Sequence, residues 1–248
     1  MSPRSAPSIR LVRHATLLVS LSETTLLVDP MLGAAGSSPP IQNTPNQRPN
    51  PLVDLPDLDL SYDAVFVTHR HNDHFDESAR ERIDSDVPLV VHPDQTAAFR
   101  EEGFTDVRPL DGDVAVGDLT LSPTPARHGH GDLAAAMAPV TGATVTDGTQ
   151  TVYLAGDTVW YDGVAETLES LTPDAVVVNA GAAQFLEGDP ITMDADDVRR
   201  VRAAVDDEVP VVAVHMDAIN HCLLERDDLR RAVDGVETPE DGAVVHID

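Results

Sequence analysis

The feature that most narrows what this chain can fold into is the run Thr68-His69-Arg70-His71-Asn72-Asp73-His74, which directly follows the short apolar stretch DAVFV. His69, His71, Asp73 and His74 place four ligand-type side chains within six positions. Imidazoles packed this closely repel one another once protonated, and a carboxylate among them needs a partner. A divalent cation meets both needs, because neutral His nitrogens and ionised Asp are the ligands it takes. His69 and His71 alternate along extended backbone and so project to one side. Asp73 and His74 lie beyond a turn and can address a second ion. The chemistry therefore starts at the end of a buried strand.

The rest of the chain supplies more strands of that kind. Residues 9–20 and 24–29 are rich in Val, Leu and Thr, with a polar break at Ser22-Glu23 that reads as a hairpin. Residues 33–56 are rich in Gly, Pro, Asn and Ser and show no apolar period; a loop this long inside a compact domain is functional or mobile. Alternation then begins. A strand at 63–68 precedes a helix at 76–83, and a strand at 87–91 precedes a helix at 94–102 ended by Gly103. Two or three strands follow within 107–125. In the second half, strands at 143–147 and 150–155 flank Asp147-Gly148, a strong hairpin signal. A helix at 162–171, a strand at 175–179, a helix at 194–205 and a strand at 209–215 come next. A helix at 226–233 and a short strand at 243–247 close the chain. Two strand-rich halves, each passing into strand–helix alternation, predict two packed sheets with helices outside. No linker divides the chain, so residues 1–248 read as one domain.

Composition sets the setting. The chain has 248 residues, enough for a real hydrophobic core. No apolar run reaches the ~18–20 residues of a membrane span, and Met1 to Arg10 carry no apolar leader. Cys222 is the single cysteine, so no intrachain disulfide forms and a cytoplasmic location is expected. The formal net charge is -27, and all 16 basic residues are arginine. Acidic residues are spread along the whole length, so they repel one another unless salt screens them. Such a surface looks like that of a protein from a salt-in halophile. It also argues against gripping nucleic-acid phosphates, which takes a basic stripe.

HRHNDH fits the HxHxDH signature of the metallo-β-lactamase-fold hydrolases, and later positions follow the same family order: His128 in TPARHGHGD, Asp157 in VYLAGDT and His215 in VVAVHMD. The resemblance, running from about residue 9 to the end, implies a four-layer αββα sandwich with metals at the sheet edges. It implies that His69, His71 and His128 hold one ion, that Asp73, His74 and His215 hold the other, and that Asp157 bridges them. His130 competes with His128, and His221 with His215; the position of His215 at a strand end favours it and leaves His221 a substrate or supporting role. RHATLLVSL followed by LLVDPML looks like the branch that contains L-ascorbate-6-phosphate lactonase and N-acylphosphatidylethanolamine phospholipase D. That likeness brings His14 into the site from the first strand and gives Asp29 the task of orienting a metal-bound His. Trp160, Tyr161, Asn179 and Gln184 follow strand ends, where Trp160 is a pocket or a core residue.

The chemistry implied is hydrolysis. Two cations share a water and lower its pKa, and Asp73 and Asp157 are the catalytic carboxylates that hold it and accept its proton. The bond cleaved is an ester, lactone, thioester or phosphoester of a small molecule. Zinc is the first choice of metal, with manganese or iron as alternatives. Arg13, Arg70 and Arg127 flank the motif histidines; they suit a phosphorylated or carboxylated substrate, and surface ion pairing accounts for them equally well. The rival readings are a nuclease or phosphodiesterase of the tRNA-processing type, redox chemistry at iron, and a non-enzymatic metal or ligand binder. No membrane partner is expected, and assembly as a homo-oligomer is left open.

Overall fold

Two sheets take up the strands, and each sheet carries helices on its outer face. The structure, a computed structural model, describes residues 6–137 and 139–247. Met1 to Ser5, Ala138 and Asp248 lie outside the described residues, so the readings of the N-terminus and of residues 131–139 are followed in part. The elements are β1 (Ser8–Arg13), β2 (Thr16–Leu21), β3 (Thr24–Val28), β4 (Ala64–Val67), α1 (Glu77–Arg82), β5 (Leu89–Val91), α2 (Thr96–Glu101), β6 (Val107–Pro109), β7 (Val114–Val116) and β8 (Leu119–Thr124). They continue with α3 (Gly131–Ala136), β9 (Gly142–Thr146), β10 (Thr151–Leu154), α4 (Asp162–Ser170), β11 (Ala175–Asn179), α5 (Ala195–Ala203), β12 (Val211–Val214), α6 (Arg226–Ala232) and β13 (Val244–His246).

One sheet runs β13-β1-β2-β3-β4-β5-β6 and the other β12-β11-β10-β9-β8-β7. In the first, β1, β2 and β3 are antiparallel neighbours and β3 to β6 are parallel. In the second, β8, β9 and β10 are antiparallel neighbours and β10 to β12 are parallel. The strands β1, β3 and β4 thus end on one edge, and β8, β10, β11 and β12 end together on the matching edge of the other sheet.

Period-two alternation sorts the side chains into layers. Leu17, Val19, Leu26, Phe66, Val145, Val152, Val177 and Val212 meet between the sheets. From the opposite faces, Leu18, Leu27, Val65 and Val67 pack under Phe75, Ala79 and Phe99 of the α1–α2 side. Val176, Val178, Val211 and Ala213 pack under Val164, Leu168, Val198, Val201 and Leu229 of α4, α5 and α6. This is the four-layer αββα sandwich. The central strands are buried on both faces, which is why they read as unbroken apolar runs. Among the described residues no helix is long and apolar enough to cross a membrane.

Two expectations need correction. The stretch 9–20 is not one strand: it folds at His14-Ala15 into the hairpin β1–β2, with a bulge between Leu11 and Arg13. The turn contains no Gly, Asn or Pro; His14 itself takes the left-handed conformation, φ +60°, so no turn residue announced it. The helix α3 was also not foreseen, since its short Ala-rich sequence has no buried face that would give it a period.

Candidate metal centre

Each candidate ligand stands just past the end of a strand. His14 follows β1, Asp29 follows β3, and His69 to His74 follow β4; His128 follows β8, Asp157 follows β10 and His215 follows β12. Convergence of parallel strand ends is what brings residues from six separate stretches to one point. The backbone N–H of His215 donates to the carbonyl of His14 at 2.9 Å, and Thr141 N–H donates to Thr68 O at 3.2 Å, so the two sheets are laced together at this edge. Three of the site residues hold strained backbone: His14 (φ +60°), Asp29 (φ +44°) and His215 (φ +68°) are non-glycine residues in the left-handed region. Each costs roughly 1–2 kcal/mol, and such strain collects where geometry has a function.

Three groups of ligand-type atoms lie within 4.8 Å of one another: His69, His71 and His128; His14, Asp73, His74 and His215; and His69, His74 and Asp157. The last touches both of the others. Within the first, His69 Nε2 and His71 Nδ1 are 2.8 Å apart. His128 donates from Nδ1 to the carbonyl of Ile191 at 2.8 Å, which leaves Nε2 as the bare nitrogen facing the cluster. In the second group, the Nε2 atoms of His74 and His215 converge to 3.2 Å, and Asp73 Oδ2 sits 3.4 Å from His14 Nε2 and 3.7 Å from His215 Nε2.

Asp157 lies between them. Its Oδ2 is 3.5 Å from His128 Nε2 and 3.2 Å from His74 Nε2, while its Oδ1 is 3.4 Å from His215 Nε2. Asn179 at the end of β11 donates to Oδ1 at 2.7 Å and fixes the carboxylate plane. Asp29 stands behind His74: its Oδ2 accepts from His74 Nδ1 and from the Thr68 hydroxyl, and its Oδ1 from Thr68 N–H, each at 2.8 Å.

The electrostatics are those of a cation site. Burial pushes the pKa of His69, His71 and His14 down, so their nitrogens keep free electron pairs. Burial likewise drives His215 down to about 3 and His221 down to about 4. Burial opposes charge on Asp73 and Asp157 as well, yet the surrounding imidazoles hold both carboxyls well below the usual range. His74 goes the other way: against the burial penalty, Asp157, Asp29 and Asp73 raise it well above an ordinary imidazole. The three buried carboxylates thus call for positive charge at the ring of His74, which a cation held at Nε2 would supply. His14 Nδ1 is buried without a hydrogen-bond partner, and its Nε2 has Asp73 Oδ2 at 3.4 Å. The unpartnered nitrogen, neutral imidazoles and ionised carboxylates together fit divalent cations.

The remaining sequence-predicted residues are placed differently. His221 lines the cavity in front of the cluster, and its buried Nδ1 has no partner. His130 is exposed and precedes α3, away from the ligand groups. Trp160 packs against the core beneath α4 and α5, and its N–H donates to Asp197 at 3.0 Å; it is not among the cavity-lining residues. Of the three arginines, Arg13 is fully buried and donates to the carbonyls of Met31, Gly33 and Val53. Arg70 pairs with Glu102, and Arg127 stacks over Tyr161. The suggestion that they bind substrate is corrected: none lines the cavity. Cys222 has its sulfur 3.5 Å from His215 Nδ1.

The cavity is about 650 Å³ and its outer wall is the loop 33–56. Asn220, which the sequence did not mark, holds that loop in place. Its Oδ1 accepts from Ile41 N–H and Asn50 Nδ2, and its Nδ2 donates to Ile41 O, Thr44 Oγ1 and Asn46 O. Asn220→Ala should therefore free the loop: amide hydrogen exchange across residues 36–52 should accelerate about tenfold or more, while the sheets keep their protection. Unchanged exchange in the loop would show that Asn220 does not hold it.

Comparison with known proteins places these features in a wider group. Residues 24–216 match the family model described as beta-lactamase superfamily domain. The UPF0173 protein YddR of Bacillus subtilis (strain 168) is 33% identical over 95% of this chain and 98% of its own length. A crystal structure of a possible metal-dependent hydrolase from Veillonella parvula DSM 2008 is similar at TM-score 0.92 and 32% identity, covering 98% of this chain and 100% of that one. The isothiocyanate hydrolase from Delia radicum gut bacteria is similar at TM-score 0.88 and 31% identity, covering 96% and 98%.

Proposed function

This chain belongs to the beta-lactamase superfamily domain family and, within it, to the UPF0173 group, and from that premise we propose that it is a hydrolase working with two divalent cations, zinc first among them. The observation that carries the reading is the pair of buried ligand groups joined by one carboxylate. His69, His71 and His128 would hold one ion, Asp73, His74 and His215 the other, with Asp157 shared and His14 available to the second. When bound, such ions lower the pKa of a water toward neutrality and polarise the group under attack.

The protein's own residues do the rest. Asp73, ionised and facing His14, His74 and His215, can hold the attacking water and take its proton at Oδ2. Asp29 keeps His74 oriented, and the Ile191 carbonyl does the same for His128. His221, neutral because burial lowers its pKa to about 4, presents an imidazole to the cavity that can hydrogen-bond the leaving group. The bond cleaved is at an electrophilic centre of a small molecule: an ester, a lactone or a phosphoester. The relative named isothiocyanate hydrolase adds a further electrophilic carbon to the candidates. Elemental analysis of purified protein tests the reading. About two ions per chain, as in dinuclear hydrolases, are expected; protein that stays metal-free after reconstitution at neutral pH would overturn it.

The acidic, lysine-free surface supports life at high salt. A net charge of -27 is repulsive in dilute buffer, and the screening length falls from about 10 Å at 0.1 M to about 3 Å at 1 M salt. The melting temperature should rise by several degrees over that range of KCl. A flat or falling Tm would remove the halophilic reading and leave the metal chemistry untouched.

A further inference from the structure

Resting on the hydrolase reading above, we propose that the substrate is uncharged and that its group beyond the scissile bond is an apolar alkyl or aryl chain, not a phosphate or carboxylate. The cavity is lined by His71, Asp73, His128, Asp157 and His221 of the candidate centre. Met31, Ile41, Met137, Phe185, Ile191 and Ile219 supply the apolar part of its wall, beside Ser37, Ser38, Asn50 and Asn72. The charged side chains that line the cavity, besides the imidazoles, are all acidic: Asp73, Asp76, Glu77 and Asp157. Among the described residues no arginine lines it, and the chain has no lysine.

The arginines that flank the motif histidines are committed elsewhere. Arg13 is closed off behind the loop by three backbone carbonyls, Arg70 is held between Glu102 and the ring of Phe99, and Arg127 lies 4.4 Å over Tyr161. The charge of bound cations would be offset in part by Asp73 and Asp157, beside the scissile group. An anionic tail would lose its water against the apolar wall with no partner and with Asp76 and Glu77 nearby. A neutral apolar tail gains from the same burial. The wall is also fixed in shape, because Asn220 and Arg13 pin the loop that carries Ile41.

The test uses metal-loaded protein and matched pairs that differ at the far end alone. 4-Nitrophenyl butyrate and mono-4-nitrophenyl succinate carry acyl chains of like length, one ending in methyl and one in carboxylate. The neutral ester should be favoured in kcat/KM by about 100-fold, the scale of leaving a charged group unpaired on burial. Phe185→Arg should shrink that ratio about tenfold by supplying a partner. Calorimetry with an uncleavable pair, 5-phenylpentan-2-one and its para-carboxylate, reads the pocket independently of turnover. Tighter binding of the neutral ketone with no cleavage of either ester would uphold the pocket assignment and count against the hydrolase reading. Equal binding of the two ketones, tighter binding of the carboxylate, or binding of neither would overturn the proposal. So would a wild-type preference that Phe185→Arg leaves unmoved.

Discussion

Asp157→Ala should strip the centre of metal and lower turnover by at least about 1000-fold, roughly 4 kcal/mol of transition-state stabilisation. The size follows from its position. Asp157 Oδ2 faces His69, His74 and His128, and Oδ1 faces His215, so one side chain serves both ligand groups. No neighbour can replace it: Asp29 is engaged by His74 and Thr68, and Asp73 belongs to one side of the cluster. Asn179 loses its acceptor as well. The loss should be one of site and not of fold. Cations that bind the native state alone raise its stability by mass action, so the wild type should show a large gap in Tm between metal-loaded and metal-free protein. In Asp157→Ala that gap should nearly close, while the metal-free Tm moves little. Elemental analysis and melting curves read both quantities. A variant that keeps about two ions per chain would refute the shared role of Asp157.

Much of this candidate centre is legible in the sequence because its candidate ligands sit in recognisable local settings. The run from His69 to His74 declares itself by density, and Asp157 and His215 each follow a run of apolar residues that has to be a buried strand. His128 is distinguished from His130 by the structure, which buries the first and exposes the second. The fold is legible for a related reason: Val-rich strands buried on both faces leave few ways to stack two sheets and five outer helices. What stays hidden depends on distance in sequence. The hairpin at His14 carries no turn residue, because the turn is fixed by the bulge in β1 and by the backbone bond to His215 some 200 residues away. Asn220 has no local pattern at all; its partners Ile41, Thr44, Asn46 and Asn50 lie 170 to 179 residues upstream. Arg13 next to a site histidine suggested a substrate contact, yet its guanidinium points away into the carbonyls of the loop. Adjacent residues on a strand face opposite sides, so proximity to a ligand in sequence is weak evidence of proximity in space.

Asp29→Ala should then damage the site without touching a proposed ligand, and it should damage the fold too. Two buried donors would be left bare, the Thr68 N–H and His74 Nδ1, and the Thr68 hydroxyl would keep only His69 Nδ1 at 3.1 Å. Burial alone pushes the Asp29 carboxyl up, and His74 and Thr68 counter that by favouring its charged form, so carboxylate and donors depend on one another. Each unsatisfied donor costs about 1–3 kcal/mol, and at about 2–4 °C of Tm per kcal/mol in a chain of this size the metal-free protein should melt about 10 °C lower. A second effect is separable from the first. Without Asp29 the ring of His74 loses the acceptor that fixes its tautomer and aims Nε2 at Asp157 and His215, and losses of this kind weaken metal binding about 10- to 100-fold. Because His74 belongs to two of the three ligand groups, titration should show one ion bound much more weakly than in the wild type and the other less affected. Asp29→Asn sharpens the test: an amide oxygen can still accept from Thr68 N–H, but its NH2 cannot accept from His74. The Asn variant should therefore recover part of the lost Tm and little of the lost affinity. Recovery of both together would mean that Asp29 acts on the backbone of Thr68 alone and leaves His74 to its neighbours.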